Sequence, residues 1–358
     1  MSRTFLGALV VLALAACNSG GTPSPSASAS STGEPSASAE ATTDPSASPA
    51  PTSAVPQDEH PATGLAFVGF PGGSDDPASQ IFVVEADGTL RQVTHGTNGT
   101  SHPAWSPDRS QIAFGPAKVG SPGIIGGVGV VNADGTEERL LSVGQNPRWS
   151  PDGTRLLIQE VDDVTSEPIT IWILDVATGE ATDLGPGFNP QWLPDGERIS
   201  FRRMVDTPDG SFADAVFIMT LETGETMEFG TESESDVFWA PDGSAVLIYH
   251  DGVLTLAAPD GSAAEPFATG FAPVWSPDST RILFAHDFDE TGTPIFAVMD
   301  LDGQTLWSGV AGQTATWSPD GTRIAVEITM PTLVVRVLDA ATGETLFEVE
   351  GIEPAWTP

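Results

Sequence analysis

Trp149-Ser-Pro-Asp-Gly153 and Trp317-Ser-Pro-Asp-Gly321 are complete copies of one five-residue motif, and the rest of the chain is spaced around its recurrences. Near copies begin at Trp105, Trp192, Trp239 and Trp275, and Trp356-Thr-Pro358 is a truncated one. Successive tryptophans lie 36 to 47 residues apart. A period near 40 with room for four short strands is the signature of a propeller blade.

Each interval reads alike. After the motif comes a strand such as Arg155-Leu-Leu-Ile158 or Arg323-Ile-Ala-Val326, then a loop of variable length. A second apolar run follows, as in Ile169-Thr-Ile-Trp-Ile-Leu174, rich in the β-branched and aromatic residues that strands favour. Asp-Gly or Thr-Gly turns then lead to a third, weaker strand. No segment keeps a helical period. Leu65-Ala-Phe-Val68, Ile81-Phe-Val-Val84 and Leu90-Arg-Gln-Val93 supply three strands with no tryptophan strand before them, and Pro354-Ala-Trp356 supplies one with nothing after it. Joined, they make a blade closed by both termini, which removes the open sheet edge. The expectation is an all-β, seven-bladed propeller of four-stranded blades over residues 61–358.

The residues resemble the WD40-like (PD40) repeats of the TolB-like superfamily. A proline shortly before the motif, at Pro103, Pro147, Pro190, Pro273 and Pro354, matches that pattern, as does the arginine or apolar strand after it. The resemblance implies a propeller and does not imply an activity. TolB itself carries an N-terminal α/β domain, where this sequence is expected to have an anchor and a tether.

That material has two parts. Met1-Ser-Arg3 is a short basic start, and an apolar run from Phe5 ends in Leu14-Ala-Ala-Cys17, which resembles a bacterial lipobox. The run is short for a permanent membrane span and suits a signal-peptide core. The resemblance implies that residues 1–17 end at a lipidated Cys17, the only cysteine. Residues 18–60 are nearly all Ser, Pro, Ala, Thr and Gly, too poor in apolar groups to form a core, and read as a disordered tether. The expected address is the extracytoplasmic side of a cell membrane, held by a lipid anchor.

Charge narrows the partners. With 13 Lys and Arg against 49 Asp and Glu, the formal net charge is −36. Such a field repels nucleic acid and attracts cations or basic proteins. Arg155, Arg198, Arg281 and Arg323 each stand six residues after a motif tryptophan, a regularity that assigns them to structure. Few cations then remain to build an anion site.

The seven motif tryptophans, Trp105, Trp149, Trp192, Trp239, Trp275, Trp317 and Trp356, are read as packing between blades. In this topology the loops after the second strand open on one face, which collects Asp75, Asp76, Asp162, Asp163, Glu167, Asp206, Asp209, Asp214, Asp287, Asp289 and Glu290. Asp162, Asp163, Asp206, Asp287, Asp289 and Glu290 form the candidate binding face, able to ligate Ca²⁺ or receive a basic partner. His250 and His286 each lie eleven residues after a tryptophan in neighbouring blades, and with Asp287 and Asp289 are the metal candidates. There is no Gly-x-Ser-x-Gly elbow, phosphate loop or paired-cysteine motif. The expected function is a monomeric binding or scaffold module that recognises a protein or envelope polymer, without a cofactor. A Ca²⁺-dependent sugar- or peptide-binding module, and a propeller hydrolase or lyase, are the alternatives.

Overall fold

The computed structural model describes residues 60–72, 78–96, 99–116, 127–160, 170–207, 211–230, 235–329 and 332–356. The chain divides into two compact units, Met1–Thr52 and Ser53–Pro358. Every described residue belongs to the second, so Cys17 and the tether lie outside the description.

The described chain forms seven antiparallel, four-stranded sheets. The first blade begins with β1 (Leu65–Gly69), β2 (Gln80–Val84) and β3 (Leu90–Gln92). Blade 2 holds β4 (Thr100–Trp105), β5 (Gln111–Pro116), β6 (Gly127–Asn132) and β7 (Arg139–Val143). Blade 3 holds β8 (Gln145–Trp149), β9 (Arg155–Gln159), β10 (Thr170–Asp175) and β11 (Ala181–Pro186). Blade 4 holds β12 (Phe188–Trp192), β13 (Arg198–Asp206), β14 (Phe212–Thr220) and β15 (Thr226–Glu228). Blade 5 holds β16 (Asp236–Trp239), β17 (Val246–His250), β18 (Val253–Ala257) and β19 (Glu265–Thr269). Blade 6 holds β20 (Phe271–Trp275), β21 (Arg281–Phe288), β22 (Pro294–Asp300) and β23 (Thr305–Ala311). Blade 7 holds β24 (Ala315–Trp317), β25 (Arg323–Ile328), β26 (Val334–Asp339) and β27 (Thr345–Glu350). Finally β28 (Ile352–Trp356) returns to pair with β1, Leu65 opposite Trp356, and completes blade 1.

Every tryptophan strand stands at one edge of its sheet, and these strands approach one another between most neighbouring blades. The motif turns therefore share one face. The β13–β14, β21–β22 and equivalent hairpins lead to the opposite face.

The motif is a self-contained turn. In blade 3, Ser150 N–H donates to Arg155 O at 2.9 Å and Gly153 N–H to Ser150 O at 2.9 Å. The Ser150 hydroxyl donates to Asp152 Oδ1 at 2.5 Å, and the same carboxylate accepts from Thr154 N–H at 3.0 Å. Gly153 sits at φ 71°, which an L side chain adopts only at a cost of roughly 1–2 kcal/mol. Serine, aspartate and glycine thus answer the turn's needs for a donor, an acceptor and a left-handed backbone.

The core is divided among the blade interfaces. Trp317 packs with Leu283, Phe296 and Val298 of blade 6, and Trp105 with Ala66, Ile81 and Val83 of blade 1. Trp356 joins Val335 and Val337 of blade 7 to Leu65 and Phe67. Each motif indole thus lies against the preceding blade, and most reach back to it with a hydrogen bond. Trp149 Nε1 donates to Ala104 O at 2.8 Å, Trp192 to Arg148 O at 3.0 Å, Trp275 to Phe238 O at 2.9 Å and Trp317 to Val274 O at 3.1 Å. Trp239 uses the Ser200 hydroxyl at 3.1 Å. Trp105 and Trp356 Nε1 are buried with no described acceptor. These two indoles flank the blade assembled from both ends of the described chain.

The arginines run the other way. Arg155 lies 4.9 Å from the Trp192 ring centroid and donates to Gly196 O at 2.9 Å; Arg281 lies 4.7 Å from Trp317 and donates to Gly321 O at 2.7 Å. Each stacks on the next blade's indole and ties down the carbonyl of its turn glycine. Arg198 instead stays within its own turn, 2.7 Å from Asp195.

Candidate functional site

The start of each tryptophan strand shapes the mouth of the central channel. His102, Asn146, Asn189, Ala272 and Glu353, each three residues before a tryptophan, have φ between 49° and 52°. A proline follows every one, and the pairing register slips between the two sides of the kink, as between Ser101 and Ala104 or Gln145 and Arg148. These are bulges, where a proline leaves no ladder donor unpaired. At His102, Asn189 and Glu353 the kink turns the backbone N–H sideways to a carboxylate or amide oxygen on the adjacent blade.

A repeated partner meets that N–H. The side chain ten residues after one tryptophan reaches the residue three before the next. Gln159 Oε1 accepts from Asn189 N–H at 2.8 Å, and Glu327 Oε2 accepts from Glu353 N–H at 3.1 Å. In blade 5, where Asp236 replaces the bulged residue, Arg202 Nη1 donates to Asp236 Oδ1 at 3.1 Å, and Asn189 Nδ2 donates to the same oxygen at 2.9 Å. Glu353 continues the sequence, its Oε2 accepting from His102 N–H at 2.5 Å. Glu327 also takes the Thr314 hydroxyl at 3.1 Å. The rim is a girdle of lateral polar contacts with three carboxylates, Asp236, Glu327 and Glu353, facing few cations.

Two hairpins rise beyond this rim. β13 and β14 stay paired out to Asp206 opposite Phe212, and β21 and β22 out to Phe288 opposite Pro294. Arg202, between the Asp214 and Asp236 carboxylates and 5.1 Å from the Phe188 ring centroid, braces the base of the first hairpin. Met204 (55% exposed) and Phe212 (72%) crown it, and Phe288 (53%) stacks on Phe271 at 5.0 Å on the second.

Of the residues singled out from sequence, Asp206 ends β13, exposed, and Asp214 is buried against Arg202. Asp287 is exposed at the end of β21, its Oδ1 accepting from Phe288 N–H at 2.8 Å. Asp289 closes its own turn by accepting from Thr291 N–H at 2.8 Å and Thr293 N–H at 2.9 Å, and those bonds hold its carboxyl below the usual aspartate range, the Thr291 hydroxyl contributing most. Glu290 is exposed beside it. The Asp206 and Asp287–Glu290 groups stand on blades 4 and 6, with blade 5 between them. His250 Nδ1 lies 3.4 Å from Ser235 Oγ, and His286 sits edge-on to Phe284 at 6.3 Å. Among the described residues no group of three His, Cys, Asp or Glu is placed to hold a metal. Asp75, Asp76, Asp162, Asp163, Glu167 and Asp209 lie outside the described residues, so the face is described at Asp206, Asp214, Asp287, Asp289 and Glu290.

The leading proline alone does not announce the girdle. Its signal is Gly-x-x-Pro-x-Trp, at Gly144, Gly187, Gly270 and Gly351, with Gly312 in the blade that lacks the proline. The glycine is required by space: a Cβ on Gly312 would lie 2.3 Å from Val326 Cγ1 and 2.7 Å from Glu327 O.

A ring of seven four-stranded blades, shut by one strand from the C-terminal side, defines a seven-bladed β-propeller. Solved propeller structures share this fold. TolB from Acinetobacter baumannii superposes with a TM-score of 0.51 at 16% identity over 82% of this chain and 66% of that one, so this chain spans just under two thirds of its length. An oligogalacturonate lyase in complex with manganese gives 0.57 at 16% identity, covering 81% of this chain and 86% of that one. The oligogalacturonate lyase of Vibrio parahaemolyticus gives 0.56 at 13%, covering 81% and 87%. No family model and no curated protein matches the sequence. At these identities the likeness is one of fold, and a propeller accommodates unrelated functions.

Proposed function

We propose that this propeller is a binding module on the extracytoplasmic side of a cell membrane, anchored through Cys17 and recognising a protein by its hairpin face. The observation that carries this is the exposure of Met204 and Phe212 on a hairpin braced by Arg202, above a rim bearing Asp236, Glu327 and Glu353. Large apolar side chains held on a rigid support, ringed by charge, are what a protein-binding surface presents. The formal charge of −36 favours a basic partner, or a basic segment of an envelope polymer. The test is capture from intact envelopes with the parent and with a Met204→Ser/Phe212→Ser/Phe288→Ser variant. A partner retained by the parent and lost by the variant supports the proposal; equal retention overturns it. For the anchor, Cys17→Ala leaves the protein in the soluble fraction, and a variant still bound to membranes refutes lipidation.

A second reading is metal-dependent sugar or peptide binding at the same face, favoured by the likeness to a lyase in complex with manganese. A melting midpoint raised by millimolar Ca²⁺ or Mn²⁺ supports it, because binding to the native state stabilises that state.

A further inference from the structure

The residues immediately before the motif tryptophans form a second ring, one step deeper than the girdle: Ala104, Arg148, Gln191, Phe238, Val274, Thr316 and Ala355. Six are uncharged. Arg148 is the one ionic group at this level, in a chain where acids outnumber bases 49 to 13. Its flanking neighbours in the ring are Ala104 and Gln191, so no carboxylate stands beside it there. Among the described residues it has no salt bridge, whereas Arg91, Arg155, Arg198, Arg202, Arg281, Arg323 and Arg336 find a carboxylate or a carbonyl and Arg203 lies over the Phe217 ring.

Two properties of Arg148 coincide. It is surrounded deeply by protein, and that desolvation holds its guanidinium below the ordinary arginine value. Yet its surface is open to solvent. Both hold for a side chain on the innermost strand that projects into a narrow channel rather than onto the outer surface. Its own carbonyl is engaged by Trp192 Nε1 at 3.0 Å, which fixes the strand that carries it. A cation partly stripped of water and given no counter-charge gains most from an anion that enters beside it.

We propose that Arg148 is an anion-binding residue of the central channel, and that its ligand is a carboxylate borne on an otherwise basic peptide segment. A single guanidinium matches one carboxylate through paired N–H donors. The basic surroundings follow from the approach. Glu353 lies on the rim at one end beside the buried Glu327 and the Arg202-paired Asp236; Asp108, Asp152, Asp278 and Asp320 occupy turns on the other face, and the chain's formal charge is −36. A free anion is repelled at either entrance, while one carried by a cationic chain is drawn in. This inference deepens the protein-recognition reading and rests on it for the identity of the occupant, though not for the anion site.

The experiment titrates the full protein with three probes: a lysine-rich peptide with a free C-terminal carboxylate, the same peptide amidated, and glutarate as a free carboxylate. The carboxylate peptide is expected to bind the parent about tenfold more tightly than the amide. Arg148→Gln abolishes that difference, Arg148→Lys keeps part of it, and Arg148→Gln melts no lower than the parent. An Arg148-dependent response to glutarate alone supports the site and makes a free small acid its ligand. Equal binding of the two peptides to the parent with no response to glutarate, or a difference that survives Arg148→Gln, overturns the inference. Glutarate lacks the basic peptide that the hairpin face is proposed to recognise, so that arm separates failure of the channel site from failure of the face. If Arg148→Gln does not fold, Arg148→Lys decides: a preference for the carboxylate peptide retained in whole or in part supports the site, and its complete loss in a folded Arg148→Lys protein overturns it.

Discussion

Arg323 Nη1 donates to the carbonyl oxygen of Pro61 at 3.0 Å, across 262 residues of sequence. Arg155 and Arg281 make the same contact within continuous chain, each to the glycine carbonyl of the next motif turn. In blade 1 the acceptor lies in the stretch that leads into β1, and the Pro61 carbonyl takes the part that a turn glycine plays elsewhere. The repeat is thus carried across the seam.

Arg323→Ala is expected to destabilise the propeller by about 1.5–3 kcal/mol, the usual worth of a hydrogen bond to a charged donor. Arg336→Ala, which removes a half-exposed pair with Glu348, should cost about 1 kcal/mol or less. Urea unfolding of both variants checks the order, and equal midpoints would remove the seam contact from the account.

The indoles offer an internal comparison. Trp149→Phe leaves the Ala104 carbonyl without its donor, a penalty of about 1–3 kcal/mol beyond lost packing. Trp105→Phe deletes an N–H that has no described acceptor, so only the packing loss is expected. Thermal melting of the two variants should place Trp149→Phe below Trp105→Phe; the reverse order contradicts the unequal satisfaction of the two sites.

Gly312→Ala forces a methyl group against Val326 and the Glu327 carbonyl, and overpacking of this kind costs about 1–3 kcal/mol. It also displaces the strand that presents Glu327 to Glu353. Amide exchange at Glu353 should rise more than exchange at Asn189, whose acceptor Gln159 lies on another blade.

Acid should loosen the motif turns. The Asp108 and Asp152 carboxyls are held below the ordinary value of 3.8, chiefly by hydrogen bonds from the Ser106 and Ser150 hydroxyls. As pH falls the unfolded chain binds these protons first. The stabilisation is therefore complete above the unfolded value and is lost as pH drops through the depressed native one. Ser150→Ala should lower stability by about 1 kcal/mol at neutral pH, and its midpoint should converge on the parent's toward pH 2. A difference that stays constant with pH argues against the serine bond as the cause.

The blade count, the strand order and the closure were legible because they follow from spacing and from turn chemistry local to each motif. The structural use of Arg155, Arg281 and Arg323 was legible from their fixed offset, whereas their acceptors were not, since those lie on the next blade. The girdle was harder to see. Gln159, Arg202 and Glu327 share a position yet differ in charge and type, so no residue identity repeats, only a geometric task. Arg148 is more hidden still: its sequence neighbours are ordinary, and its isolation exists only once seven strands surround one channel.

The seam also has a mechanical side. β1 enters the ring at Leu65, beside Trp356, on the face of the motif turns and opposite the hairpin tips. Tension arriving through the residues before 60 meets Arg323–Pro61 first and the Leu65–Trp356 pairing next. Six blades would have to tear a covalently continuous sheet, but blade 1 need only let one strand go. Under a pull along the chain, that blade is expected to yield first.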